Sequence, residues 1–197
     1  SSAASEVYKR QQVTSTVKAN ATKNANGKIT RKCSVCGKTT TSTLYAPKTV
    51  TLSVASYTYD GKVKKPSVTV KDSKGNKIGS QYYTVSYPSG RKNVGKYTVK
   101  VTFKGNYIGS KSATFAIKPK GTSVSKVTAA KKGFKVTWKK QATQTTGYEV
   151  QYSTASNFKK GNKTVTVSKN KTTSKSVSKL SAKKKYYVRV RTYKIVK

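Results

Sequence analysis

Apolar and polar residues alternate with a period of two over much of this chain. Tyr97, Val99, Val101 and Phe103 share one parity, while Thr98, Lys100, Thr102 and Lys104 share the other. That is the pattern of a strand with one dry and one wet face. Val68 with Val70, Val85 with Tyr87, and Phe115 with Ile117 repeat it. Asp60-Gly61, Asp72-Ser-Lys-Gly75, Pro88-Ser-Gly90 and Lys104-Gly-Asn106 fall between these runs and supply turns. A second series follows: Phe134, Val136 and Trp138; Tyr148, Val150 and Tyr152; Val165 and Val167; Tyr186, Val188 and Val190. The loops 139–147 and 153–163 are polar. No helix-period segment of useful length occurs. Short, evenly spaced strands predict an all-β chain of two tandem antiparallel sandwiches, over 47–118 and 123–197, joined by a linker at 119–122. The expected core positions are Tyr97, Val99, Val101, Phe103, Phe115, Trp138, Tyr148, Val150, Tyr186, Val188 and Val190.

Residues 1–46 are polar and rich in small side chains, and residues 1–11 have the look of read-through from a sequencing adapter. Asn26-Gly27 and Cys33-Ser-Val-Cys36-Gly37 are turn signals, so Lys28–Lys32 and Lys38–Leu44 are expected to pair as a short hairpin. Three states are open to Cys33 and Cys36. They could form a short-range disulfide, as an oxidising compartment permits. They could supply half of a zinc site, completed by another chain or by an upstream segment. They could remain reduced. No βαβ pattern surrounds the motif, which disfavours a thioredoxin-like role.

Composition narrows the chemistry. Histidine and methionine are absent, and the acids are Glu6, Asp60, Asp72 and Glu149. No Ser-His-Asp triad, Cys-His pair or His-based zinc centre can be built, and paired-acid glycosidase chemistry is disfavoured. Val outnumbers Leu by 23 to 3, which favours strands. The formal charge is +39, carried by 38 Lys and only 5 Arg. Such a surface attracts polyanions without reading them in detail, because Lys is a solvated point charge and Arg a planar fork. Tyr187, Arg189, Arg191 and Tyr193 fall on outward parity and form the candidate surface-binding patch. Asp60 and Asp72 adjoin turn glycines, where capping outweighs catalysis. No run approaches the roughly 18 apolar residues of a membrane span, and no signal-peptide pattern opens the chain.

Specific motifs carry a family resemblance. Tyr57-Thr-Tyr-Asp60-Gly61, Pro66-Ser-Val-Thr-Val70, Asp72-Ser-Lys-Gly75, Tyr83-Thr-Val-Ser-Tyr87, Asn93-Val-Gly95-Lys-Tyr97, Gly105-Asn-Tyr107 and Phe115-Ala-Ile117 resemble bacterial Ig-like surface repeats. The segment from Ser123 to Lys197 is similar to a fibronectin type III module: Trp138 on the second strand, Tyr148 to Tyr152 on the third, and Leu180 six residues before Tyr186, as in a tyrosine corner. The sequence stops after Lys194-Ile-Val-Lys197, so this module is expected to lack its last strand. The combination resembles lysine-rich surface proteins of clostridial-type Gram-positive bacteria. It implies a non-catalytic structural or adhesive module, secreted or held at the cell wall, with no cofactor apart from the open zinc reading. Implied partners are cell-wall polymers or components of host or neighbouring cell surfaces. The alternative is a module binding polyanions — anionic wall polymer, acidic glycan or nucleic acid — through its lysine faces.

Overall fold

A computed structural model describes residues 13–196; the expectation about residues 1–11 lies outside the described residues. The described chain is all-β, with a single 3₁₀ turn at Ser80–Tyr82. Strand β1 (Val13–Ala19) is followed by β2 (Ala21–Thr22), β3 (Gly27–Cys33) and β4 (Thr39–Leu44). The expected hairpin is β3 with β4, in antiparallel register Lys28 to Thr43 and Lys32 to Thr39. It is not alone: β1 adds to the other edge of β3, making a three-stranded sheet in the order β1-β3-β4. An isolated two-stranded hairpin is marginal in water, and a third strand gives it a ladder on both sides.

Next come β5 (Pro47–Leu52), β6 (Ser56–Thr58), β7 (Val68–Asp72), β8 (Tyr83–Ser86), β9 (Gly95–Phe103), β10 (Tyr107–Ile108) and β11 (Ser110–Lys118). β5 pairs with β7, β10 pairs in parallel with β2, and a four-stranded sheet runs β6-β11-β9-β8. The remaining strands are β12 (Val124–Ala130), β13 (Gly133–Trp138), β14 (Gly147–Ser153), β15 (Lys163–Val167), β16 (Ser174–Val177) and β17 (Tyr187–Tyr193). They form two three-stranded sheets, β12-β13-β16 and β15-β14-β17.

Two compact units result, each with its own core. One comprises the described part of 1–53 with 66–88 and 98–114. Its core joins Ala21, Val70, Ile78, Tyr83, Val101, Phe103 and Tyr107. Ala21 is fully buried there, so the small-residue segment before the hairpin contributes to the packing. Asp72 closes the turn after β7: its carboxylate accepts from the backbone N–H of Lys74 and of Asn76 and from the Asn76 side chain. Val99 is likewise buried.

The other unit comprises 54–65, 89–97 and the described part of 115–197. Phe115 stacks on Tyr97 at 5.5 Å and meets Tyr57 edge-on at 5.7 Å. Asp60 accepts from the Lys62 backbone and the Lys64 ammonium, and the Lys64 ammonium also lies over the Tyr57 ring. Between the sheets β12-β13-β16 and β15-β14-β17, Phe134, Val136, Trp138, Tyr148, Val150, Tyr152, Val167, Val177 and Leu180 are buried together. Burying each such side chain stabilises the fold by about 1.5–3 kcal/mol.

The inner positions are not uniformly dry. Tyr186, Val188 and Val190 are half-buried against this cluster rather than enclosed by it. The reason is position: β17 ends its sheet and has only β14 beside it among the described residues. Tyr97 is also half-buried, because its hydroxyl reaches out to donate to the Gly90 and Asn93 carbonyls.

Candidate functional site: the outer face of β17 and the cysteine turn

Antiparallel pairing sets the residues of the outward patch opposite defined partners. Tyr187 faces Ser153, Arg189 faces Gln151, Arg191 faces Glu149, and Tyr193 faces Gly147. Alternation then places all four on one side of the sheet. The row spans roughly 20 Å at the usual rise per residue. Sequence parity alone brings these four together, and the structure keeps them together.

Their charges are not equally available. Arg191 donates to the Glu149 carboxylate, so this pair is neutral as a unit. Arg189 donates to the Gln151 side-chain oxygen at 2.7 Å and lies 4.2 Å from the centre of the Phe158 ring. Neither partner cancels its charge, and stacking fixes the guanidinium plane. The Lys185 ammonium sits 5.1 Å from the centre of Tyr187. A shallow hollow beside Tyr187 is lined by Ser156, Asn157, Lys159 and Lys160. The patch is thus a cationic aromatic ledge at its Tyr187–Arg189 end and a neutralised pair at its Arg191 end. It can offer stacking and positive charge to a planar or anionic group; it holds no acid-base pair poised for catalysis.

Phe158 was missed at the sequence level, where 153–163 reads as a polar loop. Its backbone is in the left-handed region, at φ 54°. The loop is tied by Ser153 donating to the Lys160 carbonyl and by Asn162 donating to the Phe158 carbonyl. Those bonds turn the ring toward β17. A lone aromatic residue in an otherwise polar loop was the available signal.

The cysteines lie at the tip of the β3–β4 hairpin, and the two thiols are free. Cys33 ends β3, donating its backbone N–H to the Lys38 carbonyl and accepting at its own carbonyl from Gly37. Gly37 takes φ 70°, a left-handed geometry that glycine adopts without strain. The turn directs backbone N–H groups at the Cys33 sulfur, with Cys36 N–H at 3.5 Å. The Cys36 backbone N–H, then the Cys36 thiol, then the Val35 N–H hold the Cys33 thiol below its ordinary range. Among the described residues no group of three or more His, Cys, Asp or Glu converges on a metal position.

The tyrosine-corner spacing has a structural counterpart. Leu180 is buried, and the Tyr186 hydroxyl accepts from the Ser181 backbone N–H at 3.3 Å. Beside this corner, every residue of β12 is exposed. A groove of about 350 Å³ runs there, lined by Val127, Ala129, Phe134, Leu180, Tyr186 and Val188 among others.

Residues 117–196 match the family described as Fibronectin type III domain. No curated protein matches the chain. Among solved structures, the crystal structure of the chicken CNTN1 FN1–FN3 domains is similar at 16% identity, covering 86% of this chain and 72% of that one. Its TM-score is 0.36, too slight a likeness to carry anything further about this chain. No helix among the described residues is long and apolar enough to cross a membrane.

Proposed function

We propose that this chain is a non-catalytic structural and adhesive part of a secreted or wall-associated bacterial surface protein, an Ig-like repeat over 47–118 preceding the type III module. The type III match over residues 117–196 carries this reading, since such domains commonly serve as structural or adhesive modules. Supporting it, the Tyr-Asp-Gly and Gly-Asn-Tyr elements of the first half do structural work. Asp60 caps its turn, Gly61 is left-handed at φ 76°, Asn106 accepts from the Ala21 N–H, and Tyr107 is buried. The chemistry on hand fits the same role: the chain has no histidine, and Asp60, Asp72 and Glu149 are each bonded to neighbouring donors.

A second reading, polyanion binding through lysine faces, is favoured by one observation. The chain sets 43 basic residues against four acids, and of those acids Asp60 pairs with Lys64 and Glu149 with Arg191. Retention of the whole chain on intact Gram-positive cell walls, on walls stripped of anionic polymer, and on heparin separates the two. The adhesive reading expects saturable binding to one wall preparation that survives about 0.5 M salt, where charges farther apart than a few ångströms are screened. Retention on all anionic surfaces alike, lost in that salt, would replace it with the polyanion reading.

A further inference from the structure

Cys33 and Cys36 are a built pair rather than two stray thiols. Gly37 in the left-handed region and the Cys33–Lys38 and Gly37–Cys33 backbone bonds fold the hairpin tip tightly around them. The Cys36 N–H points at the Cys33 sulfur, as a second-shell donor does to a metal-bound thiolate. Both residues lie at an exposed tip with no packing role to explain the geometry: Cys36 is exposed and Cys33 half-buried.

Coordination number decides which ion such a pair can hold. Zinc in structural sites takes four ligands, almost always tetrahedral. Here the described residues bring no third His, Cys, Asp or Glu to the tip, and the whole chain has no His or Met and no further Cys. A four-sulfur zinc site would need two copies of a chain carrying +39 each, brought tip to tip. Cu(I) is soft, prefers thiolates and is satisfied by two of them in a line. One chain therefore completes its coordination. The resulting bis-thiolate complex carries one net negative charge, and Arg31, Lys32 and Lys38 flank the turn to offset it.

We infer that the Cys33–Cys36 turn is a two-thiolate clamp for a monovalent soft ion, Cu(I), bound one per chain. Binding releases the two thiol protons and involves no electron transfer, the copper entering already reduced. The clamp shares no residue with the β17 ledge and does not rest on the proposed adhesive role.

The full chain, reduced with a phosphine and kept anaerobic, is titrated with Cu(I) against bicinchoninate, with native mass spectrometry and sedimentation in parallel. A break at one equivalent on a monomer is expected, and its loss in both Cys33→Ser and Cys36→Ser. Gly37→Ala keeps both sulfurs but strains the turn at φ 70°, with open space around the added methyl. It should weaken the affinity by about 10–100-fold, the size of effect seen when second-shell support is lost. A break at half an equivalent with dimer formation would overturn the clamp in favour of a shared site. So would retained binding in the serine variants, or a Cys33–Cys36 bridge that survives the reductant.

Discussion

Trp138 is buried to 3% exposure, yet its indole N–H has no hydrogen-bond partner among the described residues. Its ring is retained for packing against Tyr148, 5.2 Å away, and not for its polar atom. Replacing it with Ala should cost about 3–5 kcal/mol in a urea melt, whereas Phe should cost less because no bond is lost with the nitrogen. Tyr107 offers a titration at the same scale. Burial, then the neighbouring Asp72 carboxylate, then Tyr82 raise its pKa above 10.0 in the folded chain. The unfolded chain releases that proton first. Its stabilisation is therefore full below about pH 10 and is lost as pH rises through the folded value. Tyr107→Phe should flatten the alkaline arm of stability against pH, followed by circular dichroism; an unchanged arm would exclude this origin. Asp60 shifts the other way, lowered first by its bond from Lys64. Its contribution is present above the ordinary carboxylate range and fades as pH falls through the folded value.

Strands constrain one another through a few close approaches. A Cβ at Gly147 would lie 2.1 Å from the Val167 carbonyl, and one at Gly133 would lie 2.2 Å from the Val177 carbonyl. Both obstacles are backbone, so the ladder itself must move. Gly147→Ala should cost at least about 1–3 kcal/mol and loosen hydrogen-exchange protection along β14 and β15. The Arg191–Glu149 pair makes an instructive contrast. It looks strong on paper, but the Arg191 side chain is 74% exposed. Removing either partner should change stability by no more than about 1 kcal/mol, measured by a double-mutant cycle. Geometry at a glycine outweighs charge at a wet surface. The arginines still matter to the element, since charged side chains on an edge strand discourage pairing with another chain.

At the scale of the molecule, charge governs behaviour that the cores do not. With 38 Lys and 5 Arg, binding to DNA, heparin and anionic wall polymer should be similar at equal charge density. On duplex DNA the logarithm of affinity should fall with the logarithm of salt by about 0.9 per phosphate neutralised. Reversing Lys100 and Lys104 should weaken all these ligands together, while Arg189→Ala should matter more for ligands that can stack on the Tyr187 end. A sharp preference for one DNA sequence would contradict the electrostatic account.

Alternation in the sequence determined which faces are dry. Val99, Val101, Phe103, Phe115, Trp138, Tyr148 and Val150 follow from period two alone, because side chains on a strand must point to opposite sides. The outward row on β17 was legible for the same reason, and the hairpin at Lys28–Leu44 from the turn signals Asn26-Gly27 and Cys33-Ser-Val-Cys36-Gly37. Tertiary structure decided what alternation cannot encode: which strand stands beside which. It left Tyr186, Val188 and Val190 half-buried by placing β17 at a sheet end, added β1 to the hairpin, and drew Ala21 into a core that small polar composition did not announce. It also set Arg191 against Glu149, and brought Phe158 under Arg189 from a polar loop. Local pattern fixes the direction of a side chain. Its neighbour comes from residues distant in sequence, whose register depends on every turn between them.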